Sequence, residues 1–508
     1  MKNRNQPNNP QPFQPVGPYL LPCPPEPPSD YLEHWIPLTS LERMAETYYD
    51  VIIVGSGAGG GAVLWRLCER WRKNGERVAL LEAGDLLLQT HAYNLPTFDS
   101  ARLTKFLANP KIGRPIGAEW PDYPGATEFL ALGGKTLHWG AVSPRFHPED
   151  FKYWPIQYKE LVPYYLIAER VMNINQGFTA GSSLQEILLD RLRFAGYYDA
   201  TDFPIAVDRE VTKYGEIHSN AFFSSIIFLA YALNLGSFDL AVKARVIQVL
   251  VESGKAVGVK VVTPDKKSCF IKGKTVVLSA STFENPRILL NSGIRGEATG
   301  RYLINHSFTV TLATASRKQF PEVLGNTGIL IPRSEDRSYQ LQIAGTDPYK
   351  YYWYHYKERP LQEELRFSVL GFGKVEPRVE NRVTLDPARR DEYGMPKLNV
   401  HFSYSEQDQA IIGQLASSST YAVSSMGMSI EKIPCLMPPG LDYHEAGTCR
   451  MGDDPCTSTT NRFGQVHGLS NLFAADNSVL PFIGAANPTL TTIALAIRTA
   501  DYIIHRLK

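Results

Sequence analysis

The chain has 508 residues, 44% of them hydrophobic and 20% charged, which is enough apolar material for one or two substantial cores and excludes disorder as the dominant state. Its 52 Lys and Arg stand against 51 Asp and Glu, with no basic block along the sequence, so nucleic acid is not an expected partner. Six scattered cysteines (Cys23, Cys68, Cys269, Cys435, Cys449 and Cys456) form no Cys-x-x-Cys pair and read as reduced thiols of a cytoplasmic protein.

Met1 to Pro37 lacks a basic head followed by an apolar run, so secretion is not expected. Eleven prolines between Pro7 and Pro37 remove backbone donors, which predicts an extended arm over residues 1–45. Phe13, Tyr19, Tyr31 and Trp35 interrupt it, and two readings stay open: a second half docked on the body, or a loose tail. From Val51 to Val54 a β-branched run bounded by glycine predicts a buried parallel strand. Val63, Leu64, Leu67, Cys68 and Trp71 then repeat at helical spacing, Gly75 stops the helix, and Val78 to Leu81 reads as the next strand, giving one βαβ unit.

The longest apolar stretch, Phe222 to Leu235, is broken by Ser224 and Ser225 and falls short of the roughly 20 residues that span a bilayer, so a buried helix is expected there. Leu240 to Val262 predicts a strand meander turning at Ser253-Gly254-Lys255. Thr275 to Ala280 reads as another buried strand, and a helix is expected to start at Pro286. Alternating segments at Phe308 to Ala313, Val383 to Leu385 and Leu398 to Tyr404 suggest a second, antiparallel sheet.

Gly55-x-Gly57-x-x-Gly60 lies between the first strand and its helix, where glycine permits a tight turn and close approach of backbone to a pyrophosphate at the helix N-terminus. Ser56 and Gly59 belong to the same turn. Glu82 ends the next strand 22 residues beyond Gly60, where a carboxylate accepts the two ribose hydroxyls of an adenosine, and Ala83 follows it. The acid disfavours a phosphate on the ribose, so FAD or NAD fits and NADP does not. This motif by itself does not separate FAD from NAD.

Several ordered stretches resemble the glucose-methanol-choline oxidoreductase family, across Tyr49 to Leu507 and nearest to its branch of pyranose oxidase and bacterial sugar dehydrogenases. They are Val51 to Gly60, Ala131-Leu-Gly-Gly-Lys-Thr-Leu-His-Trp-Gly140, Asn381-Arg-Val-Thr-Leu-Asp386, His444-Glu-Ala-Gly-Thr-Cys-Arg-Met-Gly452, Asn471-Leu-Phe-Ala-Ala-Asp476 and Gly484-Ala-Ala-Asn-Pro-Thr-Leu490. The resemblance implies FAD, with Gly133, Gly134, Thr136 and His138 against it, Val246 meeting adenine through its backbone, and Asp476, Asn477, Pro488 and Thr489 near the ribityl chain, pyrophosphate and ring. It implies His444 as the base that takes a hydroxyl proton while hydride leaves carbon, with Asn487 orienting the alcohol. Pyranose oxidase bonds a histidine followed by tryptophan to its flavin, so Leu137-His138-Trp139 suggests a covalent link. Gly140 departs from the threonine of that relative, and a noncovalent histidine facing the flavin remains the alternative. No histidine cluster with ligand spacing to cysteine or carboxylate is visible, and no metal is expected.

The expected fold is α/β: a Rossmann-like FAD-binding domain from 46–150, 225–300 and 440–508, interleaved with an α+β substrate domain from 151–224 and 301–439 built on an antiparallel sheet. The expected partners are an alcohol or carbohydrate (sugar, polyol or glycoside) and dioxygen or another electron acceptor. No membrane span is expected, and a homo-oligomer is compatible. Tyr349 to Tyr356 offers aromatic faces for a sugar, or plain packing. Two rival readings are a flavin lyase of the same fold and a docking subunit of a membrane sugar dehydrogenase complex.

Overall fold

The protein enters its main sheet through β1 (Tyr48–Val54), whose last four side chains are all buried, then turns at Gly55–Gly57 into α1 (Ala58–Trp71) and returns as β2 (Val78–Leu81). These coordinates are a computed structural model that describes residues 35–507 apart from 73, 96–104, 106–108, 110–111, 209–220, 321–326 and 346–362. Most of the proline-rich arm and all of Tyr349 to Tyr356 therefore lie outside the described residues.

Two helices, α2 (Tyr158–Val171) and α3 (Ser183–Phe194), and a two-residue strand β3 (Thr201–Asp202) precede α4 (Ile226–Leu235). Next come β4 (Asp239–Ala241), β5 (Arg245–Glu252), β6 (Lys255–Val262), β7 (Ser268–Leu278) and α5 (Glu284–Asn291). The chain then runs through β8 (Ser307–Ser316), β9 (Thr327–Ile331), β10 (Tyr339–Gly345), β11 (Glu364–Gly373), β12 (Arg382–Arg390), β13 (Pro396–His401), α6 (Glu406–Ser425) and β14 (Ser429–Leu436). It closes with β15 (Leu472–Ala474) and α7 (Thr489–Leu507).

The first sheet has seven strands in the order β5-β6-β7-β1-β2-β4, with β15 also on β7. β7 pairs in parallel with β1 along its second half. On its other edge β6 runs antiparallel to Ser268–Lys272, and β15 runs parallel to Val276–Leu278. The parallel strands β1, β2, β7 and β15 thus end on one side of the sheet, where α/β folds place their ligands. The second sheet has six strands in the order β14-β8-β11-β10-β9-β3, every pair antiparallel. Alternate residues of β8 are buried, and α3 and α6 cover one face of this sheet through Leu184, Leu188, Leu192, Leu415, Ala422 and Val423.

The meander turning at Ser253-Gly254 is present as the antiparallel pair β5–β6. Other expectations need correction. β7 begins seven residues before Thr275, because β6 supplies an antiparallel neighbour for its exposed first half. The helix expected at Pro286 begins at Glu284, which leaves proline in the first turn, where its missing N–H costs nothing. Phe222 to Leu235 is not a wholly buried helix: α4 starts at Ile226 and leaves Tyr231 and Leu233 exposed, while the interrupting Ser225 is itself buried. β12 and β13 form a hairpin of their own rather than joining the second sheet, since alternation sets which face is buried (Val383, Leu398, Val400) and says nothing of the pairing partner.

At Gly371 of β11 a Cβ would stand 2.7 Å from Leu415 Cδ1, so Leu415, fully buried, occupies the space of the missing side chain. Leu415→Ala is expected to lower unfolding free energy by about 2–5 kcal/mol. A urea midpoint that falls at unchanged slope checks this, and a loss under about 1 kcal/mol would mean that the sheet and α6 close over the gap.

Candidate active site

One deep cavity of about 420 Å³ runs from the strand ends of the first sheet to the face of the second. Of the expected residues, Gly55, Ser56, Gly57, Gly59, Glu82 and Ala83 line one end of it. Gly134, Thr136, His138, Val246, Asp476 and Asn477 line it too, as do His444, Asn487 and Thr489. Gly60, Gly133 and Pro488 do not line it. A Cβ at Gly60 would stand 1.9 Å from Gly55 O, and Gly133 is a left-handed turn residue with φ +96°. Pro488 immediately precedes α7, its carbonyl accepting from Thr492 N at 2.9 Å. These three shape the chain next to the site.

At the near end Gly57 caps α1 with no side-chain hydrogen bond, and nothing lies within 4 Å of where its Cβ would be. The helix therefore presents free N–H groups and its positive end to open space, which suits a pyrophosphate. Glu82 is buried, accepting from Ser56 N (3.1 Å), Ser56 Oγ (2.5 Å) and Gly84 N (2.7 Å). Burial pushes its pKa up against those three donors. Ser56 Oγ also accepts from Gly133 N (2.9 Å), and Thr136 Oγ1 donates to Gly133 O (2.6 Å) while accepting from Ser225 N (2.8 Å). These two hydroxyls tie the Gly133-Gly134 loop to the glycine turn as well as lining the cavity. Val246 lies beside an irregularity in β5–β6 pairing.

Along the cavity, Asp476 accepts from Ser478 N (2.9 Å), Ser281 N (2.8 Å) and Asn285 Nδ2 (2.9 Å) and caps a short 3₁₀ turn, so much of its acceptor capacity serves the fold. His138 Nδ1 is buried with no hydrogen-bond partner among the described residues. Burial, helped by the charge of Lys135, pulls the pKa of His138 down to about 3. This neutral ring with a free nitrogen matches a site built to meet a further group.

At the far end Asn487 Nδ2 reaches His444 Nε2 at 3.4 Å. Asn487 Oδ1 accepts from Gln340 Nε2 (3.0 Å) and Gln342 Nε2 (2.5 Å), both on β10. The other ring nitrogen of His444 is 2.9 Å from His306 Nδ1 and 3.3 Å from Asp442 Oδ2. Phe372 sits 5.3 Å from the His444 ring and stacks on Phe308 at 5.0 Å, both phenyl groups lining the cavity. Lys135 and Glu445 close the wall as an ion pair.

Sequence reasoning missed Gln340, Gln342, His306 and Asp442. Gln340-x-Gln342 carried a signal, two polar residues on the inward side of an otherwise apolar strand, and Asp442-x-His444 carried another; Asn305-His306 carried none. The expected absence of a clustered histidine and carboxylate also fails in space, because His306, Asp442 and His444 bring their side-chain donors within 4.8 Å of one another. Two nitrogens 2.9 Å apart are closer than the about 3.3 Å that separates ligands of one tetrahedral zinc at ordinary bond lengths, so hydrogen bonding accounts for the contact.

Two segments match GMC oxidoreductase, the N-terminal part over residues 124–308 and the C-terminal part over residues 377–496. The chain belongs to the GMC oxidoreductase family. Relatives include the 2-methyl-1,2-propanediol dehydrogenase of Mycolicibacterium austroafricanum, 27% identical over 90% of this chain and 95% of that protein. The C-glycoside 3-oxidase of Arthrobacter globiformis is 26% identical over the same shares. Among solved structures, a variant of Aspergillus oryzae RIB40 formate oxidase superposes with a TM-score of 0.65 at 16% identity, covering 91% of this chain and 98% of that one. This GMC protein is accordingly an FAD-binding oxidoreductase of alcohols. No described helix is long and apolar enough to cross a membrane.

The open end of α1 yields a test that leaves the fold alone. Gly57 has φ −65°, which any residue adopts, and Asp is a favoured N-cap, so Gly57→Asp should keep the helix while placing a carboxylate where the pyrophosphate belongs. The purified variant is expected to show native circular dichroism and to lose most of its flavin absorbance. Full flavin content would place the phosphates elsewhere.

Proposed function

We propose that the protein oxidises one hydroxyl of a sugar, polyol or glycoside to the ketone or aldehyde, with His444 as the base. The observation that carries this reading is the convergence of His444 Nε2 and Asn487 Nδ2 in the cavity that the Gly57 helix terminus also lines. The carbinol O–H gives its proton to His444 Nε2, the carbinol hydrogen leaves as hydride with the C–H electron pair, and the O–H electron pair left on oxygen becomes the second bond of C=O. Bound FAD supplies the acceptor for that hydride, and dioxygen or another acceptor later takes the electrons.

Asn487 is suited to holding the alcohol oxygen because Gln340 and Gln342 occupy its carbonyl, which turns its amide N–H groups towards His444. Phe308, Leu370 and Phe372 offer an apolar wall and Gln342 a polar edge, the pairing a sugar or polyol needs. The names of the relatives, a diol dehydrogenase and a glycoside oxidase, support that substrate class. We retain the division into an FAD-binding part (46–150, 225–300, 440–508) and a substrate part (151–224, 301–439) as a proposal. Cytoplasmic residence, argued from the cysteines, has the same standing.

An anaerobic screen of sugars, polyols and glycosides, following bleaching of the flavin, tests the substrate class; bleaching by none of them would sink it. In His444→Ala the flavin should remain bound while its reduction slows by about 10²- to 10⁴-fold, and Asn487→Ala should cost less. Near-normal reduction in a folded His444→Ala protein would move the base elsewhere. His138 is the residue we propose for a covalent flavin, on the strength of its buried, unpartnered Nδ1. Flavin precipitating with the protein in acid, on the peptide that holds His138, is the expected result. Flavin left wholly in the supernatant would make the contact noncovalent.

A further inference from the structure

We propose that Asp442 and His306 are positioning residues that hold His444 with its proton on Nδ1 and its Nε2 bare towards the cavity, Asp442 serving as the buried counter-ion when the ring takes up a proton. The inference rests on the reading of His444 as the base and adds what makes it one.

The two Nδ1 atoms are 2.9 Å apart, so one carries hydrogen and the other does not. If His306 carried it, the proton would point at His444 Nδ1, His444 would be protonated on Nε2, and the carboxylate of Asp442 would stand 3.8 Å from that donor. If His444 carries it, the proton faces His306 Nδ1 at 2.9 Å, with Asp442 Oδ2 3.3 Å from the same nitrogen. Only the second arrangement puts an N–H beside the buried carboxylate, whose two oxygens have no aligned hydrogen-bond partner among the described residues, so the carboxylate acts on the ring through its charge. The opposite side of the ring agrees independently. The two glutamine donors fix the amide of Asn487 so that Nδ2 faces His444 Nε2, and an N–H group there requires a bare nitrogen.

The charges are consistent with this arrangement. Burial raises the pKa of Asp442, but contact with His444 and the nearby His306 outweigh it and hold the carboxyl below its ordinary range. His306 is fully buried. That burial, with the charge of His444, pulls its pKa down to about 3 against the opposing pull of Asp442, Ile483 and Gly484, so this ring stays neutral. The other titratable groups around the pair are Tyr123 and Tyr404, whose phenols are raised first by burial and then by neighbouring carboxylates, and Glu445, which is neutralised by Lys135. Among the described residues around the pair, Asp442 is therefore the anion without a cationic partner when His444 is neutral. The backbone supports the convergence: Tyr443, between the two residues, adopts a left-handed φ of +60°, uncommon for a bulky side chain.

The direct test is nitrogen NMR of the flavin-loaded protein labelled in histidine with ¹⁵N, with the His444 signals assigned by their loss in His444→Ala. The expected result is a protonated Nδ1 and a bare Nε2. Asp442→Asn should keep the flavin and the visible spectrum, and should slow reduction by at least about 10-fold with the alcohol that reduces the flavin fastest in the screen. The acid limb of its rate profile should move to lower pH, because a ring without its counter-ion is harder to protonate. A purely structural role would not move that limb, and Asp442→Glu should restore part of it.

A wild-type His444 with its proton on Nε2 overturns the proposal, whatever the variants do. An unchanged rate and acid limb in Asp442→Asn, or stoichiometric metal in the purified protein by elemental analysis, does so as well. Near-normal reduction by His444→Ala would instead overturn the base assignment, so the two failures are told apart.

Discussion

Three absent side chains make the junction on which the structure depends. A Cβ at Gly55 would stand 2.3 Å from Ser279 O, one at Gly60 1.9 Å from Gly55 O, and one at Gly59 1.8 Å from Ala475 O. The end of β1, the first turn of α1, the end of β7 and the end of β15 therefore meet at distances that only glycine tolerates. Because Ala475 lies more than 400 residues beyond Gly59, this close approach joins segments far apart in the sequence. It leaves the N–H groups of α1 facing a cavity that segments from both sheets help to wall.

The opposite end of that cavity is held by a chain of polar contacts under an apolar wall. Gln340 and Gln342 of β10 orient Asn487, Asn487 faces His444, and His444 leans on His306 and Asp442. Each member is buried or nearly so, and a buried polar group is tolerated where its partners are supplied, so the network constrains where α7 can start relative to the second sheet. The two sheets thereby contribute different halves of one site. The parallel strand ends and a helix terminus suit an anionic cofactor, while the antiparallel sheet brings amides and phenyl rings to the same cavity.

The sequence by itself determined the βαβ unit, the glycine turn and the acid at Glu82, because each is a local pattern whose physics acts within one or two turns of chain. His444 and Asn487 were candidates only through the family resemblance that their motifs carry. The tertiary structure decided the rest. Alternation showed that β12 and β13 each have a buried face but could not show that they form a hairpin outside the second sheet. Nothing local could tell that β7 extends seven residues backwards to meet β6. His306 lies 138 residues before His444 and carries no local signal towards it, and Gln340 and Gln342 lie about 145 residues before Asn487. Such contacts arise only when separate sheets close around one cavity, since burial and hydrogen-bond demand are properties of the packed molecule, not of a segment.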